Sequence, residues 1–171
     1  MPRVLGEDNR RRRQGRVMEI ITSYFYQIRF FTPNIIPLST AVFDPAWYHI
    51  NGDMKSTYVD KNGVLIGCRA EPFVPDFQNI AECGGKGCKS NPEVCRFLHD
   101  YYVQLKYLDY EDIISRFESF GQRAKEFLGF TEDPVAALIV YEKPEQLCSE
   151  RIMIHKWFND HNYDIKEFSK I

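Results

Sequence analysis

The stretch Val135–Tyr141 (VAALIVY) is apolar throughout, with neither a helical nor an alternating period. A run of this kind fits a strand buried on both faces, as in the middle of a parallel sheet covered by helices. Val17–Phe25 (VMEIITSYF) is apolar and β-branched and reads as a second strand. Ile35–Phe43 (IIPLSTAVF) reads as a third, and Pro37 puts its start at a sheet edge or an irregularity. Between these two, Tyr24 to Phe31 fits a helical turn that Thr32-Pro33-Asn34 would stop. Lys61–Gly63 (KNG) separates two short apolar runs and suggests a hairpin or a surface turn. The segment 69–77 (RAEPFVPDF) is extended, because Pro72 and Pro75 forbid a helix.

Past Pro92 the period changes to that of a helix. Val94, Leu98, Tyr101, Leu105 and Leu108 fall on one face, with Asn91 as cap and Pro92 at the first position. Asp109 caps a second helix whose inward face is Ile113, Phe117, Phe120, Ala124 and Phe127, and Gly129 ends it. A third helix, about Cys148 to Asn159, turns Ile154, Trp157 and Phe158 inward, and Tyr163–Phe168 (YDIKEF) makes a last strand. Strand, helix, strand at this spacing forms a right-handed βαβ unit if the strands are parallel. The pattern predicts a single α/β domain over 17–171. Its expected architecture is three-layer, a mostly parallel sheet flanked by helices, with a cysteine-containing insertion over 68–99.

Composition adds little to this picture, but charge adds more. Hydrophobic residues make up 44% and charged residues 27% of the 171, ordinary for a chain with a real core. Net charge is -2, so the whole chain is no nucleic-acid binder by charge alone. Six arginines in residues 1–16 (Arg3, Arg10, Arg11, Arg12, Arg13, Arg16) face only Glu7 and Asp8. That leaves +4 on a flexible tail and -6 on the rest. Such a tail can bind phosphates, but a solvated tail needs no partner. No run approaches the ~18 apolar residues of a membrane span, and the N-terminus lacks the apolar region of a signal peptide. The expectation is a cytoplasmic protein with no membrane partner and reduced thiols, and five cysteines are an odd number for a disulfide framework.

Two places carry chemistry. In open parallel sheets, ligands bind outside the carboxyl ends of the strands. The buried strand 135–141 ends there in Glu142, and Cys148, Ser149 and Arg151 follow at the next helix start. Free backbone N–H groups and Arg151 favour an anion, the same field favours a Cys148 thiolate, and Glu142 can orient Arg151 or act as a base. A structural ion pair between Glu142 and Arg151 is the plain alternative. Thr22, Ser23 and Tyr24 end the first strand and share this crevice if the two strands are parallel. No Walker A loop, G-x-G-x-x-G, G-x-S-x-G or H-E-x-x-H motif occurs. The second place is the run Cys83–His99 (CGGKGCKSNPEVCRFLH). Glycines let Cys83 and Cys88 converge, while Cys95 and His99 lie one helical turn apart. Three thiolates and an imidazole suit a tetrahedral structural zinc, with Cys68 as the alternative fourth ligand to His99.

The segments ITSYFYQIRFFTPNIIPLSTAVFDPAWYH, LIVYEKPEQLCSER and KWF, in that order, resemble the uncharacterised domain-of-unknown-function family 488. The resemblance spans most of residues 17–168. It implies an α/β fold and a pocket drawing on Thr22, Ser23, Tyr24, Glu142, Cys148 and Arg151. Where that family commonly has Cys-His-Arg, this chain reads Cys148-Ser149-Glu150-Arg151, so the histidine is missing, and His155 lies one turn further on. The expected function is an enzyme or binding domain for an anionic ligand, phosphate-bearing, nucleotide-like or nucleic acid, at the Glu142–Arg151 loop. The alternative is a non-catalytic nucleic-acid or protein interaction module that works through the arginine tail and a zinc-stapled insertion.

Overall fold

The computed structural model describes residues 18–76 and 92–170. Its main sheet has four parallel strands, β1 (Glu19–Tyr24), β2 (Ile35–Ser39), β5 (Val135–Val140) and β6 (Lys166–Glu167), in the order β2-β5-β1-β6. A hairpin of β3 (Tyr58–Val59) and β4 (Leu65–Ile66) turns at the Lys61–Gly63 segment. The α-helices are α1 (Arg96–Lys106), α2 (Tyr110–Leu128) and α3 (Glu150–Asp160). The fold is therefore α/β with a mostly parallel sheet, as the sequence pattern predicts.

β5 is buried along its whole length and pairs on both edges. Its first residue, Val135, stands level with Glu19 of β1 and Ile35 of β2, so all three strands end at one edge. Alternate side chains of β5 serve two cores. Ala136, Leu138 and Val140 join Ile20, Leu38 and the inward faces of all three α-helices. Val135, Ala137 and Ile139 join Phe25, Ile28, Phe31, Tyr48, Val64 and Ile66 on the other side. The long helices thus gather on one face, and the second face is covered by the 3₁₀ helix Phe25–Phe30 and the hairpin. The chain steps from β1 across β5 to β2, and from β5 across β1 to β6, in opposite directions. Crossovers of one hand that move in opposite directions must use opposite faces of the sheet. The placement of Phe25 and Ile28 on one face and Ile154 and Trp157 on the other meets that rule.

β2 is an edge strand, the position Pro37 predicts. The Tyr48 hydroxyl donates to the Cys68 carbonyl at 2.6 Å and also lies within reach of the Pro37 carbonyl, at 3.1 Å. That carbonyl therefore points away from β5, and so does the ring nitrogen, where a missing N–H removes no ladder bond. Both ends of α2 follow their signals, whereas α1 begins at Arg96 after Cys95 and not at Pro92, and Asn91 lies outside the described residues. The Asp109 side chain accepts from Asp112 N at 3.0 Å, and Gly129 closes α2 in the left-handed region at φ 74°.

Two residues assigned to apolar stripes fall outside the core. Pro92–Val94 is a separate 3₁₀ turn and α1 starts only after Cys95, so Val94 leaves the stripe and is 77% exposed. Phe127 lies in the last turn of α2, past the edge of the core, and is 75% exposed. The described ends of the span 68–99 are tied into the fold, while 77–91 lie outside the described residues. Ser39 N donates to Cys68 O at 2.9 Å and Ala70 N to Ser39 O at 2.8 Å, which ties the segment to β2. Phe73 is fully buried, stacked between Phe117 and Phe158 at 6.0 and 5.9 Å and edge-on to Trp157 at 5.6 Å. Phe73→Ala removes the ring that all three aromatic neighbours share. Urea unfolding should show a loss of about 3–5 kcal/mol.

Candidate functional site

The site lies at the carboxyl edge of the sheet, where β5 hands the chain to α3. Ser149 is the cap of α3. Its Oγ accepts from Arg151 N at 3.3 Å and donates to Glu142 Oε2 at 3.0 Å, which holds the first residue pair after β5 against the helix start. The next residue, Glu150, lines a cleft of about 300 Å³ together with Thr40, Ala41, Val42, Phe43, Val140 and Tyr141. Burial pushes the Glu150 carboxyl up to about 7, and the neighbouring Glu142 charge and a hydrogen bond to Glu142 push the same way. Burial and the like charge of Glu142 thus both favour the protonated form of Glu150.

Arg151 is 6% exposed and lies beneath the cleft. Its Nε donates to Glu167 Oε1, its Nη2 donates to the Glu142 carbonyl at 2.6 Å, and its guanidinium carbon stands 5.9 Å from the Tyr24 ring centre. The side chain thus clamps β6 to the exit of β5. Nη1 is buried without a hydrogen-bond partner, and so is Glu167 Oε2. Thr22 donates to Glu167 Oε1 at 3.3 Å and lies 2.6 Å from His155 Nε2. With the hydroxyl proton on Glu167, His155 donates through Nε2–H. Burial, reinforced by the Arg151 charge, holds His155 below the usual histidine value and keeps it neutral. Burial outweighs Arg151 at Glu167 and leaves that carboxyl above its usual range.

The structure brings Thr22, Tyr24, Glu142, Ser149 and Arg151 to this edge, on the side of the sheet that α3 covers. β1 and β5 are parallel, as their sharing a crevice requires. Ser23 is fully buried, alternates to the opposite face with Ile21, and has no partner for its Oγ. Cys148 is a half-buried free thiol one residue before the cap. Of the zinc candidates, Cys83 and Cys88 lie outside the described residues, as does the arginine tail. Cys95 is buried, and His99 is exposed with Nε2 2.5 Å from the Glu93 carbonyl. Burial pushes the Cys68 thiol up to about 11. Among the described residues, no three His, Cys, Asp or Glu side chains group as a metal site. No described helix is long and apolar enough to cross a membrane.

Sequence reasoning missed Glu150 and Glu167 as members of this edge, and missed a second buried network beside it. Asp44, whose side chain is fully buried, accepts from Ser39 Oγ, stands 2.7 Å from Arg69 Nη1 and 2.5 Å from His49 Nε2. Arg69 also donates to the Ala41 carbonyl at 2.7 Å and to Glu71 at 2.8 Å. The one sequence signal for Glu167 was a carboxylate inside a strand next to a buried neighbour. Nothing local links Asp44 to Arg69.

Comparison with protein-family models, with curated proteins and with solved structures returned no match, so the site is read from its own geometry.

The Glu150 carboxyl also sets a pH dependence. Its folded value of about 7 lies above the ordinary 4.5, so the folded state holds a proton that the unfolded chain gives up. Stability from this group is complete below about 4.5 and is lost as pH rises toward about 7. At about 1.4 kcal/mol per unit, the loss is up to about 3 kcal/mol. Urea unfolding of the native chain between these pH values should show that decline, and Glu150→Gln should flatten it.

Proposed function

We propose that this domain is an acid–base enzyme for a small molecule held at the carboxyl edge of the parallel sheet, with the Glu142–Glu150 pair as its proton-transfer group. The observation that carries the reading is the Glu150 carboxyl in the cleft, holding its proton to about 7. A general acid or base works best with a pKa near the operating pH, and burial beside the Glu142 charge brings Glu150 there. The rest of the edge fits a positioning role. Ser149 fixes Glu142 by a hydrogen bond, and Arg151 fixes the backbone of Glu142 from below.

An anionic ligand at the same loop draws support from Arg151 Nη1, buried without a partner. Against it, the other guanidinium nitrogens hold Glu167 and the Glu142 carbonyl, and the ionisable group lining the cleft is a carboxyl. We therefore favour a substrate that is uncharged where it meets Glu150, and we read Arg151 as a positioning residue.

A carboxyl carbon NMR titration tests the pair directly. In the native chain one glutamate should titrate near 7, and in Glu142→Gln its midpoint should fall toward the ordinary range as the neighbouring charge is removed. A panel of neutral esters, amides and glycosides then tests turnover. Any activity found should drop about 10²–10⁴-fold in Glu150→Gln with the fold intact by circular dichroism. Activity unchanged by that substitution, or an ordinary Glu150 midpoint, overturns the reading.

A further inference from the structure

A second cleft lies away from the carboxyl edge. It holds about 350 Å³ and lies between α2 and the segment 69–73. Ile113, Phe117 and Phe120 of α2 form an apolar wall, continuous with buried Phe73. Three guanidinium groups line the same space, Arg69, Arg116 and Arg123, and no acidic side chain does. From the proton-transfer pair described above the cleft is distinct, since the two share no lining residue.

The three arginines are not equivalent. Arg69 is fixed from behind by Asp44, Glu71 and the Ala41 carbonyl, so its position costs a ligand little to organise. Arg116 pairs with Asp112 at 3.0 Å on the exposed helix surface, a contact worth little. Arg123 makes no hydrogen bond or ion pair among the described residues. Positions 116 and 123 are two turns apart on α2, roughly 10 Å along its axis. An apolar wall beside these cations excludes water from one side, which strengthens their attraction for an anion.

We propose that this cleft is a binding site for a small aromatic anion, a ring carrying a phosphate or carboxylate. The ring lies against Phe117, Phe120 and Ile113, and the anionic group is held by Arg116 and Arg123. A bare inorganic anion would forgo the apolar wall, and a neutral ring would leave Arg123 unanswered. The volume falls within the range of small-molecule pockets, at its lower end, which suits a one- or two-ring ligand.

The test uses the full chain and 1-naphthyl phosphate as probe, with calorimetric titration and two-dimensional NMR. Saturable one-to-one binding is expected, with shifts at Phe117 and Phe120 and an affinity that falls as salt rises. The double substitution Arg116→Ala with Arg123→Ala should weaken binding at least about tenfold. Both side chains are solvent-facing, so the variant should fold as the native chain does, which circular dichroism checks. 1-Naphthol and inorganic phosphate should each bind at least about tenfold more weakly. Glu150→Gln should leave the affinity unchanged, which separates this site from the proton-transfer pair. No saturation through the millimolar range, equal binding of 1-naphthol, or binding indifferent to the double substitution overturns the proposal.

Discussion

β5 carries no polar side chain, so once buried its only demands are those of its backbone. β1 and β2 meet these demands on either side in one register, with Val135 opposite both Glu19 and Ile35. An unpaired buried N–H or C=O would cost on the order of 1–3 kcal/mol, which fixes the strand in place without help from its side chains. The alternation of β5 then decides which residues join which core. The level strand ends put Tyr24, Ser39 and Val140 at one edge, and the buried polar residues Thr40, Ser149 and Arg151 gather around it.

Burying charge there is tolerated because each group answers another. Arg151 sits between a carbonyl and a carboxylate, Thr22 and His155 complete the far side of Glu167, and Asp44 is surrounded by Ser39, His49 and Arg69. Buried ion pairs of this kind seldom add much stability over an apolar replacement, but they are severe to break and they fix geometry. Glu150 is the exception. Its nearest charged neighbours include a like charge, and it answers by keeping a proton. Burial also shifts Glu167 up and His155 down, so what sets Glu150 apart is the like charge of Glu142 beside it.

What could be read in advance was whatever is encoded locally. The apolar run of β5, the Asp109 and Gly129 ends of α2, the hairpin at Lys61–Gly63 and the edge position of Pro37 each follow from a few adjacent residues. Val94 was misplaced because the helical period runs back past the true start of α1, and Phe127 because it runs on past the edge of the core. The direction in which Arg151 points depends on where β6 docks, and β6 is only two residues long. Glu167 and the Asp44–Arg69 pairing were invisible for the same reason. Their partners are distant in the chain, and no periodicity records a contact that only the folded topology creates.

The edge of the sheet at β2 has a consequence for how this molecule meets others. Pro37 offers no donor on that side, its carbonyl lies within reach of the Tyr48 hydroxyl, and Ser39 is bonded to the segment around Cys68 and Ala70. At the opposite edge β6 presents only Lys166 and Glu167 as strand. Among the described residues, neither border offers a long row of open backbone groups for another polypeptide to zip onto. Strand exchange along these two borders is thereby discouraged by construction.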